Sequence, residues 1–383
     1  GLIGGPATAN GQAEANLNAI DIQVVNLAAR SAEGIYLSEA DGLTVDATGN
    51  LSISEVNFNS TLTTLTDLSL ADLVTSHSGP IKLVSLAGTL TLNDGAAGAL
   101  GGNDGLSVRA HSTADPNGLN SPGSILIEAR GAASDLVINS DIESGRGHIS
   151  LLAGDDILLQ ADILSDGTQS TSGAEGSVQL VAFNGTVNGA GSDGVIMADN
   201  SSISSVSGVI RLVADNESDI VLGRLDTVAA DFTAGAVSLV AERSILDGAG
   251  DLAELSIQTG TLRMWADAVV NADGTQDTLT AGNQNGLIGG PATANGQPEA
   301  NLNAIDIQVV TLAARSAEGI YLSEADGLTV DATGNLNISE VNFNSTLTTR
   351  TDLSLADLVT SHSGPIKLVS LAGTLTLDDG AAG

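Results

Sequence analysis

The stretch Gly208-Val-Ile-Arg-Leu-Val-Ala214 decides the fold. Ile210 and Leu212 alternate with Arg211 and Val213, and a period of two marks a strand rather than a helix. A glycine opens the stretch and an alanine closes it. The same pattern, Gly-x-h-x-h-x-Ala with h aliphatic, returns as Gly123-Ser-Ile-Leu-Ile-Glu-Ala129, Gly147-His-Ile-Ser-Leu-Leu-Ala153 and Gly176-Ser-Val-Gln-Leu-Val-Ala182. It returns again as Gly235-Ala-Val-Ser-Leu-Val-Ala241 and Gly260-Thr-Leu-Arg-Met-Trp-Ala266. Successive copies are separated by 24, 29, 32, 27 and 25 residues. Gly79-Pro-Ile-Lys-Leu-Val-Ser85 is a variant, and Gly105-Leu-Ser-Val-Arg-Ala110 reads as a shortened one.

A second apolar run follows most copies, as in Leu136-Val-Ile138, Ile157-Leu-Leu159 and Ile220-Val-Leu222. A third often precedes the next glycine, as in Ile163-Leu164. Asp, Asn, Gly and Ser fill the gaps and read as turns. Two or three short strands in about 27 residues suit one coil of a solenoid, so the expected fold is all-β, a right-handed parallel β-helix. Stacked coils would bury one column of Ile125, Ile149, Val178, Ile210, Val237 and Leu262. A second column would hold Ile127, Leu151, Leu180, Leu212, Leu239 and Met264. The closing alanines point to a tight corner.

A longer period encloses the short one. Residues 1–98 return as 286–383, and only five positions differ: Ala13/Pro298, Asn26/Thr311, Ser52/Asn337, Leu65/Arg350 and Asn93/Asp378. The chain therefore holds one 285-residue super-repeat (1–285) and the start of the next (286–383), and it reads as a window on a longer tandem array. The anchors predict ten or eleven coils per unit. Residues 1–18 look like an irregular loop, 43–53 and 62–73 like further strands, and 112–122 like a loop. The exchange of Leu65 for Arg350 marks a site that faces solvent, because a buried position accepts Arg only at high cost. A string of β-sandwiches could also fill 285 residues, but it leaves the short motif unexplained and needs aromatics at a regular spacing.

Composition narrows the function. Asp and Glu number 46 against 12 Lys and Arg, a net charge of −34. Such a surface repels nucleic acid and anionic lipid. No apolar run is long enough to cross a membrane. Cysteine is absent, which removes disulfides, thiolate metal sites and thiol nucleophiles. Aromatics are 2% of the chain, as suits a narrow tube.

The Gly-x-Ile-x-Leu-x-Ala units with Asp/Asn-rich turns over 79–266 resemble the repeats of filamentous haemagglutinin-type proteins, giant secreted bacterial adhesins. The resemblance implies a right-handed β-helical shaft at the cell surface, used for adhesion or matrix building. It carries over no single functional residue. The 285-residue super-repeat and the acidic balance depart from that family.

Candidate surface residues follow from the same motif. The position between the second h and the Ala faces away from the core and holds Val84, Glu128, Leu152, Val181, Val213, Val240 and Trp265. Six of these seven are apolar, and stacking aligns them into a stripe. Such a stripe marks lateral contact with another chain, or else a loop of the same chain covers it.

Acidic turns at Asn93-Asp94-Gly95, Asn103-Asp104-Gly105, Asp155-Asp156, Asp166-Gly167 and Asp273-Gly274 with Asp277 match no calcium-loop pattern, so diffuse calcium binding by net charge is the most they support. His77, His111, His148 and His362 lack ligand spacing and read as surface residues. No catalytic set stands out. The expectation is a non-enzymatic, extracellular bacterial fibre or adhesin stalk without a cofactor. Its partners would be copies of itself, head to tail and side by side, and a surface or matrix receptor. A calcium-dependent array of β-sandwiches is the alternative.

Overall fold

A computed structural model describes residues 1–5, 18–111, 123–165, 176–183, 193–227, 235–248, 255–269, 285–291 and 303–380. The motif strands stack into one face of a parallel β-helix. Gly34–Glu39, Ile81–Ser85, Ile125–Ala129, Ile149–Ala153, Val178–Ala182, Val209–Ala214, Ala236–Ala241 and the end of Ile257–Ala266 pair in that order, all parallel. Register is kept residue for residue, so each h sits on the next: Ile125 on Ile149, then Val178, Ile210 and Val237.

A second face runs through Leu43–Val45, Leu90–Leu92, Leu136–Ile138, Ile157–Leu159, Gly194–Met197, Asp219–Leu222 and Ile245–Asp247. A third runs through Ala29–Ser31, Leu73–Thr75, Leu106–Ala110, Asp141–Ser144, Ile163–Ser165, Ser202–Ser205 and Arg224–Asp226. Residues 105–110 therefore lie on the third face and are not a shortened motif. Alternation marks a strand but does not say which face of a coil it occupies.

The inward aliphatics of both motif columns have no exposed surface from Ile125 to Met264. Each such side chain stabilises the fold by about 1.5–3 kcal/mol, and Leu212→Ala would cost about 2–5 kcal/mol. The motif glycine has its own cause. A Cβ on Gly176 would sit 2.0 Å from the carbonyl oxygen of Gly147, and one on Gly208 would sit 2.4 Å from that of Gly176. Serines ending the third face seal this corner. The Ser144, Ser165 and Ser205 hydroxyls donate to the carbonyls of Gly123, Gly147 and Gly176 at 3.1, 2.9 and 3.0 Å.

Eight motif strands stack within the first unit before the line reaches Ile305–Ser316 of the second. That corrects the expected ten or eleven coils, because several apolar runs counted as separate coils share one. The helix continues without a break across the unit boundary: Ile257–Ala266 pairs along most of its length with Ile305–Ser316. It does not continue in phase, however. The second unit's motif strand, Gly319–Glu324, lies on Leu287–Ile288 and on Ile305–Ile307, which lie on Ile245 of the second face and Ile257 at the end of the third. The first unit's motif line instead runs on, through Thr311 and Leu312, to Thr329–Val330. These are copies of second-face residues. One unit thus equals eight coils and a fraction, and the next is turned about the axis.

Candidate interaction surface on the motif face

Two antiparallel hairpins interrupt the coils. Leu51–Val56 pairs with Leu62–Asp67, and the copy Leu336–Val341 pairs with Leu347–Asp352. Residues 43–53 and 62–73 are expected as further strands, and Leu51–Val56 and Leu62–Asp67 are strands, in a two-stranded sheet of their own. Their intervening Asn-Phe-Asn-Ser-Thr turn folds them outward. Ser60 and Ser345 hold positive φ of 65° and 64°. Asn59 and Asn344 each accept hydrogen bonds from the backbone N–H and hydroxyl of the threonine two residues on, with the hydroxyl contact at 2.6 Å in both. Such side chain-to-backbone bonds fix the turn locally, so both copies form it.

Because the second unit is turned, its hairpin emerges where the first unit's motif line ends. It folds back along that line. Leu353 O accepts from Arg263 Nε at 2.8 Å, and Asp352 meets Arg211 Nε and a terminal guanidinium nitrogen at 3.0–3.1 Å. Glu340 accepts from Gln179 Nε2 at 2.8 Å, the Val341 N–H donates to Ser150 Oγ at 2.9 Å, and Ser345 Oγ lies 3.0 Å from the Tyr36 hydroxyl. From Arg263 to Tyr36 these contacts cross eight coils, about 34 Å at the usual strand spacing. A two-stranded hairpin lying across that many coils clamps them together.

Polar and apolar contacts alternate along the clamp. Leu336 and Ile338 pack with Ala236 and Val209. Val341 and Phe343 pack with Tyr36, Val84 and Leu126, the Tyr36 and Phe343 rings edge to face at 6.2 Å. Asp352 is the electrostatic centre. Burial pushes its carboxyl up, but Arg211 and Arg263 beside it, with hydrogen bonds from Arg211 and Ser238, outweigh burial and hold it below the usual range. The Ser238 hydroxyl donates to it at 2.6 Å. Burial lowers Arg263 to about 10. A buried pair of this kind resists loss of either partner, because the survivor is left charged and dry.

The predicted stripe is accordingly not free. Val84, Val181, Val213, Val240 and Trp265 are buried and Leu152 is half-buried. Val84 lies under the hairpin tip, while Val181, Val213, Val240 and Trp265 cluster with Leu355 and Ala313 of the second unit. The guanidinium carbons of Arg263 and Arg315 also lie 5.8 and 5.1 Å from the Trp265 ring centre. Of the two readings of this stripe, its packing against Leu355, Ala313, Val341 and Phe343 fits cover by the same chain.

Sequence reasoning missed the neighbouring outward column, Lys82, Leu126, Ser150, Gln179, Arg211, Ser238 and Arg263. Its signal was available: three of the twelve Lys and Arg stand in one register of the motif. Arg350 does not face open solvent either. It is half-buried and pairs with Glu340 at 2.9 Å within the hairpin.

The first hairpin presents the same residues to nothing. Phe58 and Val56 are 109% and 73% exposed, against 4% and 2% for Phe343 and Val341. Leu51, Ile53, Leu62 and Leu65 are exposed too.

Carboxylates gather at two corners among the described residues. Oxygens of Asp72, Asp94 and Asp104 lie within 4.8 Å of one another, as do those of Asp135, Asp155 and Asp156. Burial foremost, and the neighbouring acids, raise Asp72 to about 7 and Asp156 to about 6, against hydrogen bonds from Gly95 and Gly194. Asp94 is already engaged by the Asn103 and Gly105 N–H groups at 2.6 and 2.9 Å. The turns at Asp166 and at Asp273 to Asp277 lie outside the described residues.

His77 and His362 are exposed, as expected. His111 is buried with Nε2 2.7 Å from Glu143, and His148 is half-buried with Nδ1 accepting from the Ser177 N–H. The surface reading of these two is corrected: both sit beside strands of the helix rather than in turns. No helix among the described residues is long and apolar enough to cross a membrane. No protein-family model, curated protein or solved structure matches the chain.

Proposed function

We propose that the chain is a segment of a structural shaft: an extracellular bacterial fibre or adhesin stalk built from head-to-tail units of one β-helix. The carrying observation is the pairing of Ile257–Ala266 with Ile305–Ser316, in one register along most of its length, across the unit boundary. A near-identical copy that prolongs a core strand for strand multiplies length and stiffness, and separate domains joined by linkers would not do so. The clamp adds to this by tying eight coils of one unit to the next. The resemblance to haemagglutinin-type adhesins supports the cell-surface setting. The parallel helix replaces the alternative of β-sandwich domains. The net charge of −34 favours solubility and diffuse attraction of divalent cations.

The test is electron microscopy of threads on, or shed from, producing cells. The shaft reading expects length to grow by about 40 Å per 285-residue unit, with a strong axial spacing of about 4.8 Å. A beaded thread with a period above about 100 Å, or no surface thread at all, would overturn it.

A further inference from the structure

The two hairpins differ at only two of their seventeen residues, Ser52/Asn337 and Leu65/Arg350. Every residue through which the second hairpin grips the shaft is present in the first. Leu51, Ile53, Glu55, Val56, Phe58, Ser60 and Asp67 stand where Leu336, Ile338, Glu340, Val341, Phe343, Ser345 and Asp352 stand. The second is seated on the motif face of the unit before it. The first is folded, apolar and uncovered.

We infer that the first hairpin is a docking element whose partner is the motif face of another copy of the 285-residue unit, running from Tyr36 to Arg263 of that copy. In a tandem chain this partner is the preceding unit; between separate molecules it is a second copy whose seat is open. The inference goes beyond the shaft reading and holds whether or not the fibre is extracellular.

The chemistry of the seat supports this partner over a generic apolar one. Asp67 would enter between Arg211 and Arg263 of the copy and receive the Ser238 hydroxyl. Glu55 would accept from Gln179, and the Val56 N–H would donate to Ser150. Phe58 would meet Tyr36 edge-on. An unrelated apolar partner would leave Arg211 and Arg263 of the seat without a carboxylate, a cost of a buried uncompensated charge. The interface is heterologous, because seat and hairpin are different surfaces. Association through it is therefore head to tail and open-ended.

In the chain itself the single seat is filled by its own second hairpin, so the test opens that seat. Asn335 and Ser354 are adjacent, with the Ser354 N–H donating to Asn335 Oδ1 at 2.9 Å. Residues 336–352 can thus be replaced by two glycines within the full chain. The expected result in sedimentation is a mass that climbs with concentration from that of the variant's monomer to twice that and beyond. Adding Ile53→Asp and Asp67→Arg to the exposed first hairpin should return it to the monomer.

A second variant guards against a misfolded deletion. Ile338→Asp lifts the second hairpin in an otherwise complete chain, and Val56→Cys and Ser150→Cys are placed on separate molecules of it. The chain has no cysteine of its own, so a disulfide that joins one molecule of each variant, told apart by a mass tag on one of them, reports this one contact. A folded variant that stays monomeric and unlinked at high concentration overturns the inference. So does association indifferent to Ile53→Asp and Asp67→Arg.

Discussion

The hairpins Leu51–Asp67 and Leu336–Asp352 show how little of a segment's fate lies in the segment. Both have the same antiparallel register, the same asparagine-locked turn and the same positive-φ serine. One exposes every residue of its strands; the other buries Leu336, Ile338, Val341 and Asp352. Secondary structure here is a local property and burial a positional one. What differs is whether eight coils of a preceding unit lie beneath.

The largest expected contrast is at the buried carboxylate. Asp352→Ala should cost about 3–5 kcal/mol, since Arg211 and Arg263 are left uncompensated. Asp67→Ala, at the equivalent site, should stay within about 0.5 kcal/mol. Hydrogen exchange resolved to each hairpin reads both, and equal effects would mean that the clamp contributes nothing. Next comes the apolar anchor. Ile338→Ala should weaken protection of the second hairpin by about 2–4 kcal/mol, while Ile53→Ala should leave the first within about 0.5 kcal/mol of the parent.

Acid should separate shaft from clamp in the opposite sense. Burial foremost raises Asp72, Asp215 and Glu324 to about 7 and Asp156 to about 6, all above their ordinary values near 4. A carboxyl whose pKa is raised on folding stabilises fully below its unfolded pKa, and that stability fades as pH climbs through the folded value. The shaft should therefore melt a few degrees higher at pH 5 than at pH 7. His148 opposes this, because burial and Lys82 lower its pKa. Lys82, which burial lowers to about 7, opposes it too, but burial also raises Asp141, so two groups stand against five. Asp352 is held below its ordinary range, so docking should be intact at pH 5 and fail only as pH falls below about 4. A shaft that melts lower at pH 5 than at pH 7 would contradict the first half of this expectation.

The smallest contrast is the exchanged pair. Arg350→Leu removes an ion pair with Glu340 on a half-buried side chain and should cost under about 1 kcal/mol. Leu65→Arg should gain the first hairpin no more than that, by supplying Glu55 with the same partner. Thermal melts of a docked first hairpin before and after the change would show it.

The shaft was legible because its signal repeats. Ile125, Ile149, Val178 and Ile210 announce the same inward register again and again, and a stacked column admits few other residues. The closing alanines and opening glycines were equally plain, though the reason for glycine lay in the carbonyl of the coil below. The coil count was not legible, since period-two runs such as Leu106–Ala110 look alike on every face. The clamp was hidden for a different reason. Its contacts join Asp352 to Arg211 and Ser345 to Tyr36 across 141 and 309 positions, and no local pattern encodes such a distance. The stripe from Val84 to Trp265 packs apart from the inner core, and outside the core is not the same as wet.

The turned junction has one more consequence. If each unit starts its motif face part of the way round from the last, the clamps of successive units do not line up along one side. They wind around the shaft as a thread winds on a screw. A rod wrapped in this way offers no unbroken flat flank along which a neighbouring rod could zip, and its own chain has already taken the stickiest strip. Side-by-side packing would then have to be built from contacts recurring once per unit, at one azimuth, and each rod would keep its freedom to slide and rotate until those few contacts met.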